Sequence, residues 1–266
     1  MSFLHQQLSS LHLNPDEIHL WFAFPDEIQD VELLAAYQAL MTKEEYDRQQ
    51  RFRFAKHQHQ FLITRALVRT TLSRYFTIEP EHWRFVQNSY GKPEIRVADG
   101  MPPLRFNLSH TDGLILCGVS LNADIGVDVE YLERKCTALE IADRFFSPTE
   151  VKDLEALASE SDQQKRFFEY WVLKESYIKA RGMGLALPLE QFTFHLAENK
   201  PLGISFDPRL SDNPNHWQFW VLKPTQHHKA ALGVCQKNSQ PSRLIIKKVV
   251  PFSNEHSFSC PILHKS

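Results

Sequence analysis

The sequence predicts a mixed α/β protein, and three observations support this class. The chain has 266 residues, which allows one large domain or two small ones. Its composition, 42% hydrophobic and 12% aromatic, is sufficient for a substantial core. Segments with strand and helix periodicity follow one another, and both halves carry a strand, helices and a further pair of strands. This order is compatible with two similar lobes.

The first lobe is expected over residues 18–123, after a polar lead-in at 1–17. An apolar run at 18–24 is typical of a strand. Thr42 and Glu45 have the spacing of a capping box, which starts a helix through about residue 54 that carries Arg48 and Arg51. The other predicted elements are helices at 28–40 and 57–75, a strand at 83–87 and a turn at 88–93.

The second lobe is expected over residues 124–235. Strands at 114–120 and 125–130, joined by a turn, are predicted to form an antiparallel pair. Ser147 and Glu150 form a second capping box with Pro148 at the first helical position. The other predicted elements are helices at 137–144, 147–158 and 162–181 and strands at 191–196, 203–206, 216–223 and 229–235. Residues 236–266 are interpreted as a partly ordered appendage.

Composition excludes several classes of function. The net charge of −2 does not indicate general nucleic-acid binding. The four cysteines contain no Cys-x-x-Cys pair, which favours a reducing compartment over a disulfide framework or a zinc site. The N-terminus lacks the features of a signal peptide, and no apolar run approaches membrane-spanning length. We therefore expect a soluble, cytoplasmic protein with no membrane partner.

The long helix at 162–181 carries an acid in an unexpected place. Phe168, Trp171, Glu175 and Ile178 follow one another at steps of three or four, so they share one helix face. A carboxylate on an apolar stripe requires a cation, a metal or a proton. Lys179 lies one turn further on, at a favourable spacing for an ion pair. The alternative is an ordinary surface ion pair beside a core helix.

Asp128 and Glu130 are a second acidic feature. The strand period of two places both carboxylates on one face, with Val127 and Val129 on the other. Adjacent acids repel each other unless a cation lies between them. With Glu175 as a third carboxylate, a hard divalent ion such as Mg²⁺ becomes attractive. A solvated strand face is the alternative.

Several cations and polar residues complete a possible site for phosphate. Ser109 and His110 end a strand, Lys92 lies in a Gly-Lys-Pro turn, and Arg48 and Arg51 share a helix. Each alone is typical of a solvated surface. Together with a Mg²⁺ site they indicate a phosphate-rich substrate, because cations bind terminal phosphates and a metal bridges a pyrophosphate.

These residues, taken in order, resemble the 4′-phosphopantetheinyl transferases, in the larger single-chain type. The motifs that carry the resemblance lie at residues 107–110, 126–130, 145–150 and 171–184. The likeness covers roughly residues 18–235, and the ordered set is far more specific than any one motif. It implies two similar lobes related by a pseudo-two-fold axis in a monomer, with coenzyme A bound in the cleft between the lobes.

The resemblance also implies roles for residues. Asp128, Glu130 and Glu175 would hold Mg²⁺ at the pyrophosphate, where Lys179 would also bind. Ser109 and His110 would contact the nucleotide phosphates, and Lys92 the nucleotide end. Arg48 lies near a basic position used for the 3′-phosphate, with Arg51 and Arg53 as the other candidates. This chain departs from some relatives by carrying Glu45 where they have a lysine.

The implied reaction transfers 4′-phosphopantetheine from coenzyme A to a serine of an apo acyl, peptidyl or aryl carrier protein. Glu175 is the candidate base, directly or through a metal-bound water, and Glu150 is either a helix cap or a supporting catalytic residue. Two alternatives remain: a Mg²⁺-dependent hydrolase of nucleotide pyrophosphates and a non-catalytic coenzyme A-binding module.

Overall fold

The computed structural model describes residues 10–96, 103–134, 137–198, 200–236 and 242–266. Two compact units are present: one contains residues 1–86, 93–122 and 243–258, and the other contains 87–92, 123–242 and 259–266. The helices are α1 (Val31–Ala39), α2 (Lys43–Gln50), α3 (Ala55–Leu72), α4 (Ala138–Phe145), α5 (Pro148–Glu155) and α6 (Glu160–Arg181). The strands are β1 (Glu17–Ala23), β2 (Phe85–Gln87), β3 (Pro93–Ile95), β4 (Leu104–Thr111), β5 (Leu114–Leu121), β6 (Asp124–Tyr131), β7 (Phe192–His195), β8 (Gly203–Phe206), β9 (Trp217–Thr225), β10 (His228–Cys235), β11 (Arg243–Val250), β12 (Asn254–Ser257) and β13 (Ile262–Lys265).

The first unit is built on a five-stranded sheet in the order β12-β11-β1-β5-β4. β1 lies at its centre and is buried along its whole length. It pairs parallel with β11 and antiparallel with β5, with Leu20 opposite Ile246 and Gly118. Helices α1 and α3 supply buried apolar residues to the same core, among them Tyr37 and Leu67. This sheet holds β4, which carries Ser109 and His110.

Helix α2 begins at the predicted capping box, because Thr42 Oγ1 accepts from Glu45 N and Glu45 Oε2 accepts from Thr42 N. The predicted end at residue 54 is wrong, since α2 stops at Gln50. Phe54 has extended backbone and is the N-cap residue of α3, and Gln58 Nε2 donates to the carbonyl of Phe52 at 2.9 Å. That side-chain bond satisfies a carbonyl that a continuous helix would have used.

The second unit contains a four-stranded sheet in the order β13-β9-β10-β6. Helix α6 packs on β6 and β10, with α4, α5 and the separate β7-β8 pair around it. Its core is rich in aromatic side chains, including Phe168, Tyr177 and Phe219. No described helix has both the length and the apolar character that a bilayer crossing requires. The sheet edge formed by β6 carries the acidic motif.

Two predictions about pairing are wrong. The strands at 114–120 and 125–130 do not form a hairpin: β5 pairs with β1 and β4, whereas β6 pairs with β10 in another sheet. β5 is a buried central strand, and both of its edges are already occupied. The segment 236–266 is not an appendage, because β11 pairs with β1, β12 with β11, and β13 with β9. Residues 237–241 lie outside the described part of the chain.

Candidate active site

The site in the second unit is formed where α6 lies directly on β6. Gly126 of β6 is paired with Gly233 of β10, and both face Ser176 of α6. A Cβ at Gly126 would come within 3.0 Å of Ala180 Cα and closer still to the Ser176 carbonyl oxygen. Residues larger than glycine would therefore separate the helix from the strand. The glycine in the Gly-Val-Asp-Val-Glu motif has a packing role that brings the two elements together.

Asp128 and Glu130 follow Gly126 on the same side of β6, as the strand period predicted. Asp128 is buried, and its Oδ1 accepts from Lys179 Nζ at 2.6 Å. Glu130 Oε1 accepts from the indole Nε1 of Trp171 at 3.1 Å. Both acids are thus held by side chains of α6. The sequence analysis did not identify Trp171 as the hydrogen-bond donor to Glu130, although Trp171 lies one helical turn before Glu175 and so on the same side of α6.

Glu175 lies on a partly exposed stripe of α6, with Trp171 and Lys179 one turn away on either side. Phe168 and Ile178, which the spacing placed on the same helix face, are buried in the core, whereas Glu175 is partly exposed. Between Val172 and Ala180 every residue of α6 except Glu175 and Lys179 is buried, so the polar chemistry of this segment is confined to this narrow stripe. The acid is therefore accessible at the same face that meets Asp128 and Glu130.

Burial and neighbouring carboxylates shift the pKa values of two of the three acids Asp128, Glu130 and Glu175. Burial raises the pKa of Glu175, Asp128 and Glu130 raise it further, and Lys179 opposes them. Burial and the Asp128 charge likewise raise the pKa of Glu130. Interacting carboxylates of this kind favour a bound cation or a proton. Lys179 supplies one positive charge to the group.

Asp128, Glu130 and Glu175 offer carboxylate oxygens that repel one another, and such oxygens are the ligands that a hard divalent cation prefers. In the described parts of the chain, however, no three His, Cys, Asp or Glu side chains are gathered as metal ligands. Binding of Mg²⁺ by Asp128, Glu130 and Glu175 therefore stays a prediction. Asp128 and Glu130 instead contact Lys179 and Trp171.

Glu150 occupies the capping box and is completely buried. Its Oε2 accepts from Ser147 N at 2.9 Å and lies 2.7 Å from Lys174 Nζ, while Oε1 accepts from Phe194 N at 2.9 Å. Lys174 also donates to the carbonyls of Leu189 and Phe192, each at 2.8 Å. Burial lowers the pKa of Lys174, and the Glu150 charge opposes that shift. The helix-cap interpretation is confirmed, and this geometry gives no support to a catalytic role.

Lys92 contacts backbone at the end of α6. Its Nζ donates to the carbonyls of Ala180 at 3.1 Å and Ile125 at 3.2 Å. In the same turn, Asn88 Nδ2 donates to the Gly182 carbonyl at 2.9 Å. An ammonium at the C-terminus of a helix is favoured by its dipole. The structure thus shows Lys92 as a cap of α6, whereas a contact with the nucleotide stays a prediction.

The remaining candidates lie in the first unit. Ser109 is buried in β4 and His110 is exposed beside it. Arg48 and Arg51 line one cavity of about 540 Å³ together with Glu44, Asp47 and Phe52. Arg48 Cζ lies 5.7 Å from the centre of the Phe61 ring. The two arginines therefore line one depression together with two acids, although α2 ends at Gln50 and Arg51 is its C-cap residue.

Comparison with known proteins matches both parts of the chain to one family. The model of the 4′-phosphopantetheinyl transferase superfamily matches residues 124–235, and that of the 4′-phosphopantetheinyl transferase N-terminal domain matches residues 28–120. The chain is 35% identical over 232 residues to the 4′-phosphopantetheinyl transferase HetI of Nostoc sp., covering 87% of this chain and 93% of that one. It is 36% identical to the 4′-phosphopantetheinyl transferase Sfp of Bacillus subtilis, covering 63% and 72%.

Among solved structures, holo-[acyl-carrier-protein] synthase of Thermotoga maritima is similar over 43% of this chain and 64% of that chain. The sequence identity is 20% and the TM-score is 0.34, which is too low to support an argument about the fold. Membership therefore rests on the sequence matches and on the motif residues that α6 and β6 bring together. The chain belongs to the 4′-phosphopantetheinyl transferase superfamily and is of the larger, single-chain type.

Proposed function

We propose that the protein transfers the 4′-phosphopantetheine group from coenzyme A to a serine hydroxyl of an apo acyl, peptidyl or aryl carrier protein, in a Mg²⁺-dependent reaction. The observation that carries the proposal is the contact of Lys179 with Asp128, beside Glu130 and Glu175. Acids and a lysine at one face can bind a cation and a pyrophosphate together. The family match to residues 124–235 covers this group.

The proposed reaction is a direct transfer in which no covalent bond forms between the protein and the substrate. The serine oxygen attacks the phosphorus that bears pantetheine, the bond from that phosphorus to the bridging oxygen breaks, and 3′,5′-ADP leaves with the electron pair. Glu175 takes the serine proton, and its raised pKa suits a general base. Lys179 offsets the charge that develops on the phosphate oxygens. Mg²⁺, held by Asp128, Glu130 and Glu175, would supply further stabilisation of that charge.

We assign the remaining nucleotide contacts to Ser109, His110, Arg48 and Arg51. The fork of a guanidinium matches a phosphate bidentately, and the two arginines line one cavity. A terminal 3′-phosphate suits that cavity better than a bridging one, because its oxygens are free to accept several donors. Two acids also line this cavity and repel a phosphate, so binding depends on how the arginines are placed relative to the phosphate.

The carrier protein is the other proposed partner. Arg134 and Arg144 are exposed, and Phe145 is exposed over 41% of its surface at the end of α4. Apolar area rimmed by cations suits an acidic carrier. Lys135, close to Arg134 in the sequence, lies outside the described residues. A monomeric, cytoplasmic protein and the pseudo-two-fold relation of its lobes stay predictions.

The test is incubation of the purified protein with coenzyme A, Mg²⁺ and an apo carrier protein, followed by mass spectrometry of the carrier. Transfer adds the mass of phosphopantetheine. A hydrolase would consume coenzyme A with no protein acceptor, and a binding module would change neither substrate. Asp128→Asn is expected to abolish transfer at limiting Mg²⁺, since charge dominates the affinity of a hard-ion site. A normal transfer rate of that variant at limiting Mg²⁺ would refute the proposal that Asp128 holds the metal ion.

A further inference from the structure

Glu45 of α2 is turned inward rather than toward solvent. Its Oε2 accepts from Arg69 Nη2 at 2.8 Å and from Thr42 N at 3.0 Å, and Oε1 lies 3.6 Å from Arg65 Nη1. Its side chain is 15% exposed. The acid that stands where some relatives carry a lysine is therefore an anchor of α2 on α3, and it is directed away from the solvent.

The partner of this anchor is itself fixed. Arg69 is 1% exposed, and its Nη1 donates to the carbonyls of Pro80 at 3.1 Å and Trp83 at 2.9 Å. A guanidinium with two backbone acceptors has little freedom to follow the carboxylate if α2 moves. Because charge-assisted bonds are short and directional, the position of Arg69 sets the position of α2.

The same anchor reaches Arg48 through an aromatic ring. Arg65 Cζ lies 5.4 Å from the centre of the Phe61 ring, and Arg48 Cζ lies 5.7 Å from it. Arg65 thus contacts both Glu45 and Phe61, and Phe61 in turn supports Arg48. Cation–π contacts at such distances orient a guanidinium while leaving its donors available. Glu45, Arg65, Phe61 and Arg48 form a continuous chain of contacts on α2 and α3.

We infer that Glu45 is a positioning residue for the phosphate specificity of the enzyme. It holds α2 so that Arg48 meets the terminal 3′-phosphate of coenzyme A; the inference rests on the proposed function of Arg48. Simple electrostatics gives the opposite expectation, because removal of a negative charge near an anion site strengthens anion binding. The sign of the effect at Glu45 therefore distinguishes positioning from charge.

The experiment compares kcat/KM for coenzyme A and for dephospho-coenzyme A, which lacks only the 3′-phosphate. Glu45→Gln retains the shape and an acceptor for Thr42 N but removes the ion pairs with Arg69 and Arg65. We expect the preference for coenzyme A to fall about tenfold, with the rate for dephospho-coenzyme A nearly unchanged, which corresponds to one weakened charge-assisted contact. Glu32→Gln, at an exposed position of α1, is the matched control and should retain the preference.

A double-mutant cycle gives the second readout. If Glu45 acts through Arg48, then Glu45→Gln should not change the preference further in an Arg48→Ala background. A purely structural defect would instead lower the rates for both substrates in parallel. If Glu45→Gln does not fold, Arg65→Met interrupts the same chain of contacts and should lower the preference in the same direction.

The outcomes separate the inference from the proposed function. A preference that rises or stays constant in Glu45→Gln, while Arg48→Ala loses it, overturns the positioning role and leaves the phosphate site intact. The positioning role is equally overturned if Arg65→Met, used in its place, leaves the preference unchanged. If Arg48→Ala discriminates as well as the unchanged protein, the phosphate lies elsewhere, and both ideas fail together.

Discussion

The close approach of α6 to β6 is open to a direct test by Gly126→Ala. The added methyl group would lie 3.0 Å from Ala180 Cα and nearer to the Ser176 carbonyl oxygen and Ala180 N. Ordinary carbon–carbon contacts are about 3.5–4.0 Å, so α6 must retreat by roughly 1 Å or bend. Rotation of a side chain cannot relieve this clash, because all three contacted atoms belong to the backbone of α6.

That displacement has consequences for both stability and chemistry. Overpacking of a core by one methyl group costs about 1–3 kcal/mol, and a clash with backbone belongs at the upper end. With about 2–4 °C per kcal/mol for a chain of this size, Tm should fall by roughly 6–12 °C. The bond of 2.6 Å from Lys179 to Asp128 would lengthen beyond the range of charge-assisted bonds, so kcat should fall as well.

The assay is thermal unfolding together with the transfer rate, and Gly203→Ala is the matched control. A methyl group at Gly203 would meet His195 carbons at 3.6 and 3.7 Å, an ordinary contact in the β7-β8 pair. That variant should keep its activity and gain up to about 1 kcal/mol from the reduced entropy of the unfolded chain. Equal Tm values and equal rates for the two alanine variants would refute the packing argument.

Three further variants test individual side chains. Glu175→Gln should lower kcat about a hundredfold or more, while Tm at neutral pH stays the same or rises. Burial and Asp128 raise the pKa of this carboxyl, so its charged form lowers the stability of the unchanged protein as pH increases, and the stability advantage of the variant should disappear toward pH 4 in unfolding scans. A variant that is active but unstable would show that Glu175 has a structural role. Glu150→Gln leaves the Lys174 ammonium buried without its carboxylate, so urea unfolding should show a loss of about 3–5 kcal/mol, whereas the folded fraction should keep its KM for coenzyme A; a changed KM at full stability would contradict the cap. Lys92→Met removes two bonds to backbone carbonyls and should lower stability by about 2 kcal/mol with little change in KM, whereas a raised KM at unchanged Tm would favour the nucleotide contact.

Local patterns in the sequence were sufficient for much of the secondary structure. The two capping boxes and the long helix that ends at Gly182 lie where side-chain spacing placed them. The shared face of Asp128 and Glu130 also follows from strand periodicity alone. These features depend on neighbours within a few residues, so the order of residue types along the chain contains the necessary information.

The resemblance to a family added what spacing could not provide. The ordered motifs identified the superfamily to which the chain belongs, and they singled out Glu175 and Lys179 among many similar acid–lysine pairs. Periodicity alone left a surface ion pair as an equal alternative. In the structure Lys179 pairs with Asp128 of another element, a contact that helix spacing cannot predict.

Only the tertiary structure decided the long-range pairings. β11 lies beside β1, although more than two hundred residues separate them, because a strand buried on both faces requires a partner at each edge. Burial likewise turned Glu150 into the partner of Lys174 and Glu45 into the partner of Arg69. The sequence shows that a charge is present, but the free energy of removing it from water depends on which atoms surround it, and those atoms are brought together only by the fold.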